Sequence, residues 1–371
     1  SSSKRCFFYR TDLLVDICES LSKENFYEAL KRLLILVGKG WPVGIQNSAT
    51  RIKPLGSFMS IKMMLQRKLI GLQLYSVMLV IFLPWVEAYK TVVLVHGLNC
   101  GADSFEDTKQ KILDVHPGTN VILLKYFENL RTLDPLPGQL DLVVSELDKI
   151  MKKHPDGIHL LCHSQGGLMC LGAVLNLNHT IETFISLSGP LFGQYGVPAG
   201  VFDEVPIMKP LLNLSRELVS IPIYSDLFQG AVSIANYWKD PRDSMIEAYE
   251  YYSNYVPVIL NDPRSRYYNQ KDAAIRKENF LRLKNLVLVG GPGDEIITPW
   301  QSALFGFYGN DPFSETMLNM TETKMYQDDW FGLKTQNDQG RVTSYVIPGI
   351  DHDSWPGSDF VLKLAVYPWL T

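Results

Sequence analysis

Cysteine is scarce in this chain. Five cysteines in 371 residues cannot form a disulfide scaffold, so the fold must rest on a hydrophobic core. Excess charge of either sign is also missing. Lys and Arg number 35 against 39 Asp and Glu, a formal net charge of −4, which leaves no electrostatic footprint for nucleic acid. The apolar run from Leu69 to Leu83 falls short of the roughly 20 residues that span a bilayer. The histidines and cysteines lack the paired spacing of a metal site, and no cofactor motif occurs. What the chain does have is apolar mass, with 46% hydrophobic and 11% aromatic residues. That is enough for a sizeable core and excludes global disorder. The length suits an α/β enzyme domain of about 250 to 300 residues with something added.

The addition lies at the amino terminus. Gln66-Arg67-Lys68 precedes the run Leu69 to Leu83, and Val86-Glu87-Ala88 follows it. A basic start, a short apolar centre and a small-residue cleavage site are the order of a secretory signal peptide. With Met63 and Met64 just upstream, residues 63–88 are read as that signal, and the mature chain begins near Tyr89. The alternative is an uncleaved signal-anchor. Residues 1–62 include a loosely helical apolar pattern from Leu13 to Val37, and no acidic residue occurs from Ala29 to Val86. A signal should not lie so deep, so residues 1–62 read as an upstream extension of the reading frame, without assigned function. Three N-x-[ST] triplets, at Asn178, Asn213 and Asn319, are candidate glycosylation sites in a secretory protein. No stable membrane span is expected in the mature form.

From residue 89 onward, strand-like and helix-like segments alternate. Thr91–Val95, Val121–Leu124, Ile158–Cys162, Phe184–Leu187, Leu286–Val289 and Val342–Ile347 are short, continuously apolar strand candidates. Phe105–Val115, Leu140–Lys153 and Leu168–Leu175 are the helices between the early ones. This predicts a mainly parallel sheet covered on both faces. The alternation stops at about residues 189–285, where Tyr224, Phe228, Tyr237, Trp238, Tyr249, Tyr251, Tyr252 and Tyr255 cluster. The stretch reads as a helical cap inserted into the catalytic domain. Its aromatics either wall an apolar groove or form the cap's own core.

The chemistry centres on His163-Ser164-Gln165-Gly166-Gly167, between a strand and a helix. Such a turn holds a serine Oγ clear of the sheet at a helix N-terminus, as in the nucleophile elbow G-x-S-x-G. The first glycine of that pattern is Cys162 here. An activated serine needs a base, an acid and an oxyanion hole, and on this fold the base comes last in the chain. His96, His116, His154, His159 and His163 precede Ser164, and His179 lies inside a sequon. His352, on the loop after the last strand, is the candidate base. Asp294, in the loop after Leu286–Val289, is the candidate acid, with Glu295 its neighbouring rival and Asp311 and Asp351 more distant ones. Backbone N–H groups of Gln165 and of Leu98, in His96-Gly97-Leu98, are the candidate oxyanion donors, with Gly97 allowing close approach.

Several segments resemble the palmitoyl-protein thioesterases: V-x-V-H-G-L at residues 93–98, H-P-G-T at 116–119, C-H-S-Q-G-G-L at 162–168 and I-S-L-S-G-P at 185–190. N-Y-W at 236–238, L-V-L-V-G-G-P at 286–292, I-T-P-W-Q-S at 297–302 and F-G-F-Y at 305–308 extend the likeness to essentially the whole mature chain. Cys162, Gly-Gly-Pro before the acid and I-T-P-W-Q-S favour the second, lysosomal type. The resemblance implies an α/β-hydrolase fold, nucleophile Ser164, acid Asp294, base His352 and a disulfide joining Cys162 to Cys170. It also implies a fatty acyl thioester substrate, palmitoyl-CoA-like or an S-palmitoylated cysteine, with small thiol carriers favoured over acylated proteins. The extra cysteines that relatives carry in the cap and near the carboxyl end are missing. A carboxyl-ester lipase and a catalytically silent binding protein are the competing readings.

Overall fold

A computed structural model describes residues 89–196, 214–309 and 316–371. The expected signal peptide and upstream extension, with Asn213 and Asp311, lie outside the described residues. Six parallel strands form one sheet: β1 (Thr91–Val95), β2 (Val121–Leu123), β3 (Ile158–His163), β4 (Ile181–Leu187), β5 (Asn285–Gly290) and β6 (Val342–Val346), in the spatial order β2-β1-β3-β4-β5-β6. The register runs, for example, Val93 beside Leu160, Leu160 beside Phe184, and Phe184 beside Leu286.

Alternate residues of each strand serve opposite faces. Val93, Val95, Leu160, Cys162, Phe184, Leu286 and Leu288 pack with α2 (Leu136–Lys153) and α3 (Gln165–Asn176). Val92, Leu94, Leu161, Ile185, Val287 and Val289 pack instead with Phe105 and Ile112 of the α1 region (α1, Glu106–Val115) and with Trp355, Val361 and Leu362. Because both faces are covered, the strands read as unbroken apolar runs. This is the parallel sheet covered on both faces that the alternation predicts, and the α/β-hydrolase fold that the resemblance implies. After β1 the chain moves outward to β2 and then returns past β1 to β3. The reversal opens a crevice at the carboxyl ends of those strands, where ligands bind in open α/β sheets.

Two boundaries differ from the sequence reading for local reasons. Helix α2 starts at Leu136, not Leu140, because Pro137 stands in its first turn, where its missing N–H costs nothing. Strand β4 starts at Ile181, not Phe184; the polar Glu182, paired with Lys284 and Lys90, and Thr183 interrupt the apolar pattern at its start.

Between β4 and β5 the described chain is helical: α4 (Arg216–Ile223), α5 (Asp226–Gln229), α6 (Ser233–Tyr237), α7 (Asp243–Tyr252), α8 (Val256–Ile259) and α9 (Gln270–Phe280). Most of its aromatics are core. Tyr224, Trp238, Tyr249 and Tyr255 are buried, with Trp238 Nε1 donating to Ser220 Oγ (2.9 Å) and Tyr255 Oη to Leu168 O (2.9 Å). Tyr251 is exposed, and Tyr237 alone of the eight lines the cavity at Ser164. Asn236 ties this region to the sheet layer. Its Oδ1 accepts from Leu136 N (2.7 Å), so it supplies the cap that Pro135 cannot give α2. Among the described residues no helix is long and apolar enough to cross a membrane.

Helix α3 passes β1 in close backbone contact. A Cβ built on Gly166 meets the carbonyl oxygens of Val95 and His96 at 2.4 Å each. Both are backbone atoms that cannot step aside. Gly166→Ala is therefore expected to lower the unfolding free energy by about 2 kcal/mol or more, read as a lower urea midpoint at unchanged slope. An unchanged midpoint would show that α3 is free to move away from β1.

Candidate active site

Ser164 sits between β3 and α3 with φ 54° and ψ −131°, a conformation that L-residues enter only under constraint. The turn is held by Ser164 N donating to Leu187 O (3.0 Å) and Gly167 N to Ser164 O (2.8 Å). Cys162 and Cys170 are disulfide-bonded across it, so the residue in the usual glycine position ties the strand to the helix.

His352 opens a short turn after β6, capped by Asp351. Its Nε2 lies 2.8 Å from Ser164 Oγ and its Nδ1 2.7 Å from Asp294 Oδ2. All three residues are buried. Asp294 follows β5 on the tight turn closed by Asp294 N donating to Gly291 O. Its Oδ1 accepts from Ile296 N (3.0 Å) and Ile297 N (2.9 Å), and its Oδ2 from Ser188 Oγ (2.5 Å) and Trp355 Nε1 (3.0 Å). Burial alone would raise its pKa. The bond and charge of His352, with the other donors, outweigh burial and draw it down to about 2. An ionised Asp294 accepts from His352 Nδ1–H, which leaves Nε2 free to accept the serine proton. The rival acids stand elsewhere. Glu295 is exposed, and Asp351 accepts from Ser354 N and Oγ at the turn.

The β1–α1 loop faces the serine. A Cβ on Gly97 meets Ser164 Cβ at 2.7 Å, so only glycine lets the loop come this close. Asn99 N donates to Thr132 Oγ1 (2.7 Å), and Gln165 Nε2 donates to Thr132 O (2.7 Å), so one buried threonine holds both sides of the candidate oxyanion hole. Gln165 is the first residue of α3, where backbone donors have no partner within the helix. His96 is structural: its Nδ1 bonds Gly97 O (3.1 Å), and its ring stacks on Tyr126.

Three supporting residues escaped the sequence reading. Ser188 and Trp355 both donate to Asp294; the I-S-L-S-G-P segment contains Ser188 but gives it no role. His163, excluded as the base by chain order, holds the base instead. Its Nε2–H donates to the backbone carbonyl of His352 (2.9 Å), and the two rings lie 4.8 Å apart. Burial, then the neighbouring His352, pushes the His163 pKa down to about 3. Its place inside the elbow was the only available signal.

Ser164, His352 and His163 line a cavity of about 650 Å³, with Asp294 behind His352 outside its wall. Leu98, Leu133, Pro190, Tyr237, Ile296 and Ile297 give it apolar walls, and no lysine or arginine lines it among the described residues. Cys100, not disulfide-bonded, is also in the wall.

A family model described as palmitoyl protein thioesterase matches residues 91–352. The chain belongs to the palmitoyl protein thioesterase family. Within the family it is similar to the lysosomal thioesterase PPT2-B of Xenopus laevis, 39% identical over 286 residues, 76% of this chain and 93% of that protein. It is similar also to the lysosomal thioesterase PPT2 of Homo sapiens, 37% identical over 78% of this chain and 90% of that protein. The Drosophila melanogaster homologue is 33% identical over 76% and 92%. The matched span runs from β1 to His352 and so takes in Ser164, Asp294, His352, Leu98 and Gln165, with Trp355 just beyond it.

A neutral His163 links this thioesterase-family site to acid stability. Unfolded, its imidazole takes a proton below its ordinary 6.5; folded, it stays neutral down to about 3. The unfolded state therefore binds more protons between those values, and stability falls as pH falls through them. In His163→Gln that fall is expected to be shallower by up to one proton, about 1.4 kcal/mol per pH unit. Urea unfolding at a series of pH values measures it; an identical slope would mean that His163 is charged in the fold.

Proposed function

We propose that this chain is a lysosomal serine hydrolase that cleaves long-chain fatty acyl thioesters. The observation that carries the reading is the continuous hydrogen-bonded path from Ser164 Oγ through His352 to Asp294, in a chain of the palmitoyl protein thioesterase family. In this reading His352 Nε2 takes the proton as Ser164 Oγ attacks the acyl carbonyl, and Asp294 stabilises the imidazolium. The Leu98 and Gln165 N–H groups face the oxyanion, each contributing on the order of 3 kcal/mol. The thiolate departs readily because a thiol's pKa is about 8.5. Water, deprotonated by His352, then releases the fatty acid and restores Ser164.

The printed names of the relatives, lysosomal thioesterases, support both the substrate class and the compartment. A signal peptide at residues 63–88 and glycosylation at Asn178, Asn213 and Asn319 belong to the same proposal; Asn178 and Asn319 are exposed. The helical region of about residues 189–285 acts as the cap, with Pro190, Gln194 and Tyr237 in the cavity wall in support. A carboxyl-ester lipase would use the same groups, and family membership favours the thioester. Small thiol carriers are the preferred leaving groups over acylated proteins.

Ser164→Ala is expected to reduce palmitoyl-CoA turnover by at least about 10³-fold, and Asp294→Asn by about 10²- to 10⁴-fold, with folding intact. Undiminished turnover by Ser164→Ala overturns the nucleophile. Faster cleavage of the matching oxygen ester than of the thioester overturns the substrate class.

A further inference from the structure

A second cavity, of about 290 Å³, lies beside the first and shares no wall residue with it. The partition is made of two extended segments bonded to each other: Gln194 N donates to Tyr237 O (2.8 Å) and Lys239 N to Gln194 O (2.7 Å). Each segment contributes side chains to both cavities. Pro190, Gln194 and Tyr237 line the catalytic cavity, whereas Phe192 and Lys239 line the second.

Lys239 is the unusual group. Its Nζ lies 3.1 Å from the centroid of the Phe192 ring and 4.4 Å from that of Phe307. Among the described residues no carboxylate or carbonyl accepts from it. The other cations of the wall are already matched, Arg264 with Asp262 (2.9 Å) and Glu250 (3.0 Å), and Lys324 with Asp328 (2.6 Å). Asp240, the wall's carboxylate, is held by Arg242 (2.5 Å). Among the described residues the cavity thus presents one amine with no acidic partner, backed by aromatic faces that stabilise an ammonium but do not replace an anion. Burial pushes the Lys239 ammonium well below the usual lysine range; the charge of Asp262 opposes this and that of Arg264 adds to it. A fixed amine in such a place gains most from a ligand that brings a single negative charge.

Ile246, Phe307, Leu318, Met325 and Trp330 give the wall a large apolar share, beside Pro241 and the hydroxyl-bearing Tyr249, Tyr308 and Thr323. Among the described residues a single amine without an acidic partner lines the cavity, which disfavours a polyanion, and the apolar share of the wall disfavours a small hydrated anion. We infer that the second cavity binds a free fatty acid, with the carboxylate at Lys239 and the tail against Ile246, Leu318, Met325 and Trp330. The site is independent of the chemistry proposed for Ser164, and nothing in that chemistry uses Lys239.

Calorimetric titration of the full chain with sodium dodecanoate tests this. Lys239→Met, which keeps the stem and removes the charge, is expected to weaken binding at least tenfold, and Ile246→Trp, which fills the cavity, to do the same. Ile297→Trp, which narrows the catalytic cavity, is expected to leave this binding in place. Dodecanol, with the same tail and no charge, should bind the unaltered chain at least tenfold more weakly than dodecanoate. Equal affinity in Lys239→Met, or binding removed by Ile297→Trp alone, overturns the proposal. Should Lys239→Met fail to fold by circular dichroism, Ile246→Trp decides by the same titration.

Discussion

The turn from β3 into α3 holds Ser164 in the left-handed region, and the surrounding backbone leaves it no alternative. On one side α3 crosses the carbonyl end of β1 so closely that Gly166 must lack a side chain. On the other, the β1–α1 loop passes over Ser164 at Gly97 with the same lack of space. A strained serine of this kind costs on the order of 1–3 kcal/mol. It persists because relaxing it would require β1, β3 and α3 to part, with the apolar contacts they share. The nucleophile's direction and the position of the facing amides follow from one close contact.

Around that contact the charges are divided with care for which group is ionised. Asp294 is buried yet accepts from five donors or near-donors (two backbone amides, Ser188, Trp355 and His352), so it holds its charge. His163 is buried with a single carbonyl partner, so it stays neutral. The two residues confine His352 from opposite sides, one through the ring nitrogen and the other through the backbone. The base is thereby oriented by a charge and placed by a neutral donor.

Much of this was legible in the sequence because the relevant signals are local. Six short apolar runs marked the strands, since a parallel sheet covered on both faces needs no polar alternation. The elbow was legible from Ser164 with two glycines after it, and chain order left His352 as the base. Asp294 could be separated from Glu295 only by the direction of one turn, which neighbouring residues in sequence do not reveal. Ser188 and Trp355 meet Asp294 from 106 and 61 positions away, and no local pattern carries such distances. The cap aromatics left two readings open because burial against the chain itself and burial against a ligand select the same side chains. For most of them the structure shows burial against the chain, with Tyr237 at the catalytic cavity and Lys239 hidden among rings.

The Cys162–Cys170 bond closes a ring of only a few residues, and Ser164 lies inside it. Cross-linking so short a loop removes little freedom from the unfolded chain, about 2.5 kcal/mol of entropy by the loop-closure relation. Its larger effect is mechanical. The first two turns of α3 are fastened to the strand that delivers the serine, so the elbow cannot fray as helix termini ordinarily do. Two thiols in the same place would leave the fold's core intact while unlatching its most constrained turn. The same bond that stabilises the fold therefore also holds the nucleophile's turn in place.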